Sequence, residues 1–420
     1  MNTLATFAPA AAATQVPVPS ADRAARFRRF SQWLEENGAY FPGTRLHVQD
    51  GMRELRAAKP LQEGELAIFI PTHLMITGEM AWNSDIGRRL RALRLPGPTF
   101  VAAFLLDARR REGFFKPYID ILPQDMSHMP MYMSDSELAC LQGSAVLAKI
   151  RQEIEKTRAE YDALAGHLPP DMLFSEREYM WAKGIARSRL LNVHFMTDAA
   201  MVPLADMMNH ALDENVEWGG ESKRGFVCTA ARAIGPGQTL TLSYGPTRGN
   251  GALFVYYGFT IEDNPNDETE IRLPLLNGEA PGQASGNATI AGNTCVHTPI
   301  ASHADERTRA LLRHLRLLQE NAAGASGERP ISRANELAAL AMLENACRQR
   351  LSEFGALDSA ACAPAETASP RLRDALRVRD GEIRVLHYLL ALAATGIAFL
   401  RGESGGGGFE AYIEELRPVV

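Results

Sequence analysis

The stretch LADMMNH, residues 204 to 210, places one aspartate in an apolar run and closes on an Asn-His pair. Asp206 and His210 stand four residues apart, so three readings compete: a pair of metal ligands, a general-base dyad, or the wall of a pocket for a larger molecule. On a helix the two side chains would share a face, and Asp213 and Glu214 follow closely as further carboxylates. No second histidine lies within ten residues on either side, however, so a zinc or iron centre would have to import its other ligands. A Ser-His-Asp hydrolase is weaker still, because the chain has no GxSxG elbow in a strand-turn-helix setting. The plain alternative makes Asp206 a turn cap and His210 a satisfied core histidine.

Outward from this stretch, 420 residues that are 46% hydrophobic and 22% charged describe a globular chain of two or three domains with a substantial core. Its 44 basic against 50 acidic residues give a net charge of -6, which leaves no global basic field for nucleic acid or an anionic membrane surface. The expected partner is a folded protein or a small molecule, and the expected state is a monomer. Cys140, Cys228, Cys295, Cys347 and Cys362 are scattered with no CxxC pair, which points to a reducing cytoplasm and away from a zinc knuckle or a secreted disulfide framework. The opening MNTLATFAPAAAATQVPVPS lacks the basic start of a signal peptide, and no run reaches the roughly 18 apolar residues of a membrane span. Residues 1–20 read as a disordered lead-in, with an organellar transit peptide as the alternative.

The hydrophobic spacing changes period along the chain. DRAARFRRFSQWLEEN predicts a first helix with Phe27, Phe30 and Leu34 on one face and Gly38 just past its end. From Leu46 to Thr77 short apolar pieces such as LAIFIP alternate with turns, the texture of short strands. Residues 84–190 revert to helical spacing in VAAFLLDARRR, LQGSAVLAKIRQEIEKTRAEY and SEREYMWAKGIARSRLL, and strand texture returns from Met201 to Pro274. After residue 300 the chain is helical again: Leu340, Leu343, Cys347, Leu351 and Phe354 recur at i, i+3/i+4, as do Ile383, Leu386, Leu390, Ala393 and Ile397. The fold class is therefore α+β: short irregular sheets over residues 21–275 interrupted by a helical insertion, then an all-α domain over 300–400 and a Gly-rich tail over 401–420. No GxGxxG opens a helix after a strand and no GxxxxGK[ST] occurs, which excludes those two phosphate cradles.

Two further features accompany LADMMNH. QTLTLSYG, residues 238–245, reads as a strand closed by Tyr244, and NGALFVYYGF, residues 250–259, puts Tyr257 on a short helix thirteen residues later. Each tyrosine alone is an ordinary core aromatic; in a dry channel its phenol becomes a hydrogen-bond donor or acceptor. DGMRELRAAKPLQEGELAIFIP, residues 50–71, is by itself a generic hairpin.

Taken in order, these residues resemble the SET-domain methyltransferases of the Rubisco large-subunit lysine methyltransferase type. The matches are the loop at Gly51, Met52 and Arg53, the Ser188-Arg189 pair, ADMMNH at 205–210, LTLSYG at 240–245 and YYGF at 256–259, with VRDGEIRVL at 378–386 in the helical domain. The resemblance implies a protein-lysine N-methyltransferase that uses S-adenosyl-L-methionine, takes no metal, and docks its protein substrate through the C-terminal helices. It implies that Gly51, Met52, Arg53, Ser188, Arg189, Asn209, His210 and Phe259 hold the cofactor, and that Arg189, Leu191, Ala205, Asp206, Tyr244 and Tyr257 meet the substrate. Tyr244 is then the catalytic residue.

In histidine-modifying members of this family an Asn sits two residues past the matching arginine and a Trp precedes the matching aspartate. Leu191 and Ala205 stand there instead, a lining that suits an extended lysine and offers no amide to an imidazole. Histidine modification is the alternative within enzymes, and an inactive SET-like binding module the alternative outside them. The module alternative rests on Glu54, which stands where the family has a second loop glycine; there a side chain either strains the loop or brings a carboxylate towards the cationic cofactor.

Overall fold

A computed structural model of the chain describes residues 20–49, 52–193, 199–219, 224–274, 289–291, 293–299, 306–319, 326–355 and 368–403. Gly51, among the expected cofactor residues, lies outside them. The chain divides into two compact units, Met1–Gln124 with Pro169–Met172 and Arg189–Leu242, and Asp125–Leu168 with Leu173–Ser188 and Ser243–Val420.

The first unit opens with helix α1 (Ser20–Glu36), whose Phe30 and Leu34 are fully buried and which ends before Gly38 at φ 82°. Strands β1 (Thr44–Gln49) and β2 (Met52–Ala57) form an antiparallel pair in which Leu46 faces Leu55. Strand β3 (Leu66–Pro71), then β4 (Ile76–Thr77) and the helices α2 (Gly78–Asn83), α3 (Asp85–Leu90), α4 (Gly97–Arg110) and α5 (Lys116–Ile119) complete the N-terminal part. After the gap in sequence come β5 (Leu190–Leu191), β6 (Ala200–Met201), β7 (Asn209–His210), β8 (Val216–Gly219), β9 (Gly225–Ala230) and β10 (Thr239–Leu242). Three small sheets result, in the orders β1-β2-β10-β7, β3-β9-β8 and β4-β6-β5.

The second unit contains α6 (Asp135–Ala139), α7 (Ala145–Ala165), all of α8 (Glu176–Arg189) except its last residue, α9 (Asn250–Tyr257), the sheet of β11 (Glu268–Leu273), β12 (Thr289–Ala291) and β13 (Asn293–Pro299), and the helices α10 (Glu306–Leu317), α11 (Arg333–Phe354) and α12 (Pro370–Arg401). The helical periodicity read after residue 300 is the core stripe: Leu340, Leu343, Cys347, Phe354, Leu386 and Ala393 are buried in one cluster with Ile271 and Leu311. A second cluster joins Leu147 and Ile150 of α7 and Phe254 of α9 to Ala375 and Val378 of α12, so insertion and C-terminal helices share a core.

Three local expectations change. The helix expected from Leu141 starts at Ala145, because Gly143 takes φ +86° and the Ser144 hydroxyl accepts from Val146 N as the cap. In α12 an 18-residue window reaches a mean hydropathy of 1.8, so by length and composition it is apolar enough to cross a membrane, although Leu386, Leu389 and Ala393 lie in the protein core. Cys140 is disulfide-bonded, a pairing that the scattered sequence spacing does not announce.

Gly381 of α12 sits directly over Asp267, where a Cβ would come 2.3 Å from the carboxylate Oδ2. That carboxylate accepts from Asn250 N at 2.9 Å and so holds the start of α9. Replacing this glycine by alanine gains about 1 kcal/mol of helix propensity, but the clash with a buried, committed carboxylate is the larger effect. Gly381→Ala is expected to lower the unfolding free energy by about 2 kcal/mol in urea denaturation; a stabilised variant would show that α12 does not rest on Asp267.

Candidate active site

The sheet β1-β2-β10-β7 brings together three segments that are far apart in sequence. β10 pairs antiparallel with β2 through Thr239–Arg56 and Leu240–Leu55, and parallel with β7 through Thr241–Asn209 and Leu242–His210. The loop strand carrying Arg53, the LTLSYG strand and the Asn-His pair thereby become neighbours. Asn209 is exposed and its Nδ2 donates to the Arg53 carbonyl at 3.4 Å, while His210 Nδ1 lies 3.3 Å from the Leu242 carbonyl.

LADMMNH is not a helix, which removes the shared face proposed for Asp206 and His210. Leu204 adopts φ +71°, Ala205–Met207 form a single 3-10 turn, and Asn209 and His210 are already extended, so their side chains point to opposite faces. Among the described residues no group of three or more His, Cys, Asp or Glu side chains is placed to hold a metal ion.

Asp206 is instead the centre of a buried ionic cluster. Its side chain has no solvent exposure; Oδ2 accepts from Tyr118 Oη at 2.7 Å and from Arg189 Nη1 at 2.9 Å, and the same Nη1 donates to the Asp206 carbonyl at 2.8 Å. A lone buried carboxylate would be costly, and these bonds offset that cost. Arg53 adds a second guanidinium that donates to the Ile121 carbonyl. Burial, followed by repulsion from Arg189, depresses Arg53 to about 10 despite the pull of Asp206. Two cations around one anion leave this cluster with a net positive charge. Asp206 therefore does not cap a turn, and Tyr118, which no motif marks, belongs with it.

The other expected residues of this unit are placed as follows. Leu191 is half-buried in β5 and Ala205 fully buried in the 3-10 turn, while Met52 opens β2. Ser188, in the second unit, spends its hydroxyl on the Gly184 carbonyl of its own helix at 2.9 Å, a local bond that a sequence match does not reveal.

The aromatic residues lie in the second unit. Strand β10 ends at Leu242, so Tyr244 does not close it but stands two residues beyond, in a bend. Its ring packs 4.7 Å from Tyr257 and 6.2 Å from Phe259, and Tyr257 packs 6.2 Å from Phe259. The bend is held by Arg248, whose Nε donates to the Tyr244 carbonyl at 2.6 Å; only glycine at 245, with φ +146°, leaves room for that side chain, since a Cβ would meet Nε at 2.5 Å. Burial pushes the Tyr257 phenol up, against the opposing charge of Arg248, so it remains a neutral donor at ordinary pH.

The SET domain family model matches residues 52–245, beginning at β2 and ending just past Tyr244, and the Rubisco LSMT substrate-binding model matches residues 302–386. Residues 52–245 therefore carry a SET domain. The second matched region, after residue 300, carries a Rubisco LSMT substrate-binding domain. Among curated proteins it is similar to the actin-histidine N-methyltransferase of Mus musculus, 26% identical over 265 residues that cover 59% of this chain and 44% of that one. The Papio anubis protein of the same name is 24% identical over 414 residues, 89% of this chain and 69% of that one. The chain thus spans less than half the length of the mouse relative. Among solved structures, the SET domain of LSMT bound to lysine and AdoHcy superposes with a TM-score of 0.70 at 20% identity, covering 95% of this chain and 96% of that one. Rubisco LSMT bound to AdoMet gives 0.68 at 22% identity, over 93% and 96%. At these identities the structural likeness establishes the fold.

Glu54, the departure from the family's loop, lies within β2 opposite His47 and is not among the non-glycine residues at positive φ. The strained-loop expectation therefore fails, because the position is ordinary extended backbone. Its carboxylate accepts from Arg56 Nε at 2.6 Å and from Thr239 Oγ1 at 3.0 Å, which ties β2 to β10. Partial burial works upward on its pKa, and the Arg56 and Thr239 hydrogen bonds outweigh it, leaving the group below its ordinary 4.5. A depressed carboxylate contributes stability that is complete above that ordinary value and is lost as the pH falls through its lower value in the fold. Glu54→Gln is accordingly expected to flatten the acid limb of the stability curve by about 0.5–1 kcal/mol, discounted for the partial exposure of the pair. Identical wild-type and variant urea midpoints across pH 3 to 6, a window chosen roughly to span the titration, would contradict the assignment.

Proposed function

We propose that this SET-domain protein is an S-adenosylmethionine-dependent protein methyltransferase that modifies a lysine side chain, its protein substrate docking through the helical C-terminal region. The observation that carries this reading is the convergence of β2, β10 and β7 in one sheet, which sets Asn209 beside the Arg53 carbonyl. The residues also fit the cofactor chemically: the positively charged Arg53, Arg189 and Asp206 cluster suits the carboxylate of its amino-acid part.

When bound, S-adenosylmethionine supplies a methyl group activated on a sulfonium centre. In this reading Arg189, supported by Arg53, holds the carboxylate, while Asn209 and His210 hold the amino-acid and adenine parts through side chain and backbone. Tyr244 orients the acceptor amine with its phenol and Tyr257 gives that amine an apolar wall, while Phe259, packed on both rings, faces the cofactor. A lysine with a reference pKa of about 10.4 must be neutral to attack, and an apolar wall disfavours its ammonium form. Catalysis then consists of positioning and electrostatics, with no side chain required as a strong base.

Half-buried Leu191 and buried Ala205 support lysine over histidine, since neither offers a hydrogen bond to an imidazole. Histidine is the second reading, favoured by the name of the curated relatives. The inert-module alternative loses its main support, because Glu54 is accommodated within the sheet.

Lysate proteins incubated with the full chain and isotopically labelled S-adenosylmethionine are expected to gain label on lysine, read by mass spectrometry. Label on histidine would select the second reading, and no protein-bound label would defeat both. Tyr244→Phe is expected to reduce turnover by about a hundredfold, the lower range for a positioned catalytic group, while S-adenosylhomocysteine affinity stays within about twofold. Unchanged turnover would remove Tyr244 from the mechanism.

A further inference from the structure

We infer that Tyr118 is a positioning residue of the cofactor site, acting on Arg189 through Asp206; the inference rests on the methyltransferase reading above. Tyr118 lies in α5, is fully buried, and stacks on Phe30 of α1 at 5.9 Å between ring centroids. Its hydroxyl and Arg189 Nη1 converge on the same carboxylate oxygen, Asp206 Oδ2. Three residues further on, the Ile121 carbonyl receives Arg53. One short segment, residues 118–121, therefore holds the carboxylate on one side and the second guanidinium on the other.

The geometry makes the phenol more than filler. Asp206 Oδ1 is buried and without a hydrogen-bond partner among the described residues, so the two carboxylate oxygens differ only in what Tyr118 and Arg189 give to Oδ2. Without the phenol, Oδ2 keeps only Arg189, whose Nη1 is also tied to the Asp206 carbonyl. The carboxylate then loses the neutral donor that fixes its angle to the guanidinium. Burial, reinforced by the adjacent Asp206 charge, pushes the phenol well above its ordinary 10, so it remains a donor at any working pH. A donor held in this way orients a charged partner without itself touching a ligand.

The test compares two ligands on the full chain by calorimetric titration. S-adenosylhomocysteine carries the amino-acid carboxylate; 5′-methylthioadenosine keeps the nucleoside and the thioether but lacks it. For Tyr118→Phe, which preserves the ring, S-adenosylhomocysteine is expected to bind roughly tenfold more weakly, the weight of one charge-assisted hydrogen bond. Binding of 5′-methylthioadenosine should stay as in the wild type. Equal weakening of both ligands, or no change in either, overturns the positioning role. Should Tyr118→Phe fail to fold, Tyr118→Met, which also lacks the hydroxyl in an adaptable apolar side chain, is read by the same ratio with the same selective loss expected. A wild-type chain that binds neither ligand overturns the methyltransferase reading itself and the inference with it.

Discussion

The parallel pairing of Asn209 and His210 with Thr241 and Leu242 is only two residues long, yet the placing of the candidate cofactor residues depends on it. At about 1 kcal/mol net per hydrogen bond, so short a ladder does not sustain itself. It is held from both sides. Upstream, Leu204 accepts φ +71° so that the chain can turn through Ala205–Met207 and arrive extended at Asn209. Downstream, Asn215 acts as a further partner for β10: its Nδ2 donates to the Thr239 carbonyl and its Oδ1 accepts from Thr241 N, each at 2.9 Å. A backbone conformation unfavourable to leucine is thus kept by burial and by side-chain bonds, a pattern common where strain serves a site.

The charge of the cluster beneath this turn decides what the turn can bind. Oδ2 of Asp206 is committed to Arg189 and Tyr118, and among the described residues no group of three His, Cys, Asp or Glu side chains gathers around it. Two guanidinium groups against one carboxylate favour an anionic group. The tempting spacing in LADMMNH describes a backbone that changes from turn to strand between Asp206 and His210.

Much of this was legible in the sequence. Helical periodicity marked the core faces of α1, α11 and α12, and the order of Arg53, ADMMNH, LTLSYG and YYGF marked the fold. What stayed hidden was long-range. Tyr118 meets Asp206 across 88 residues and Asn215 meets Thr241 across 26, in segments with no distinctive spacing of their own. Gly381 resembles an unfavourable residue in a helix until Asp267 is found against it. The grouping of α7 and α9 with α12 in one core is equally invisible to local pattern, because each helix shows only that it has an apolar face. Tyr244 was misplaced onto its strand because alternation continues past Leu242, whereas the ladder stops where β7 runs out of residues.

Hydrogen–deuterium exchange on the full chain, with and without saturating S-adenosylhomocysteine, tests the central claim most directly. If the β2-β10-β7 convergence builds the cofactor site, protection concentrates in peptides covering residues 52–57, 205–210 and 239–242. Protection confined to α10, α11 and α12, or none anywhere at saturation, would contradict it.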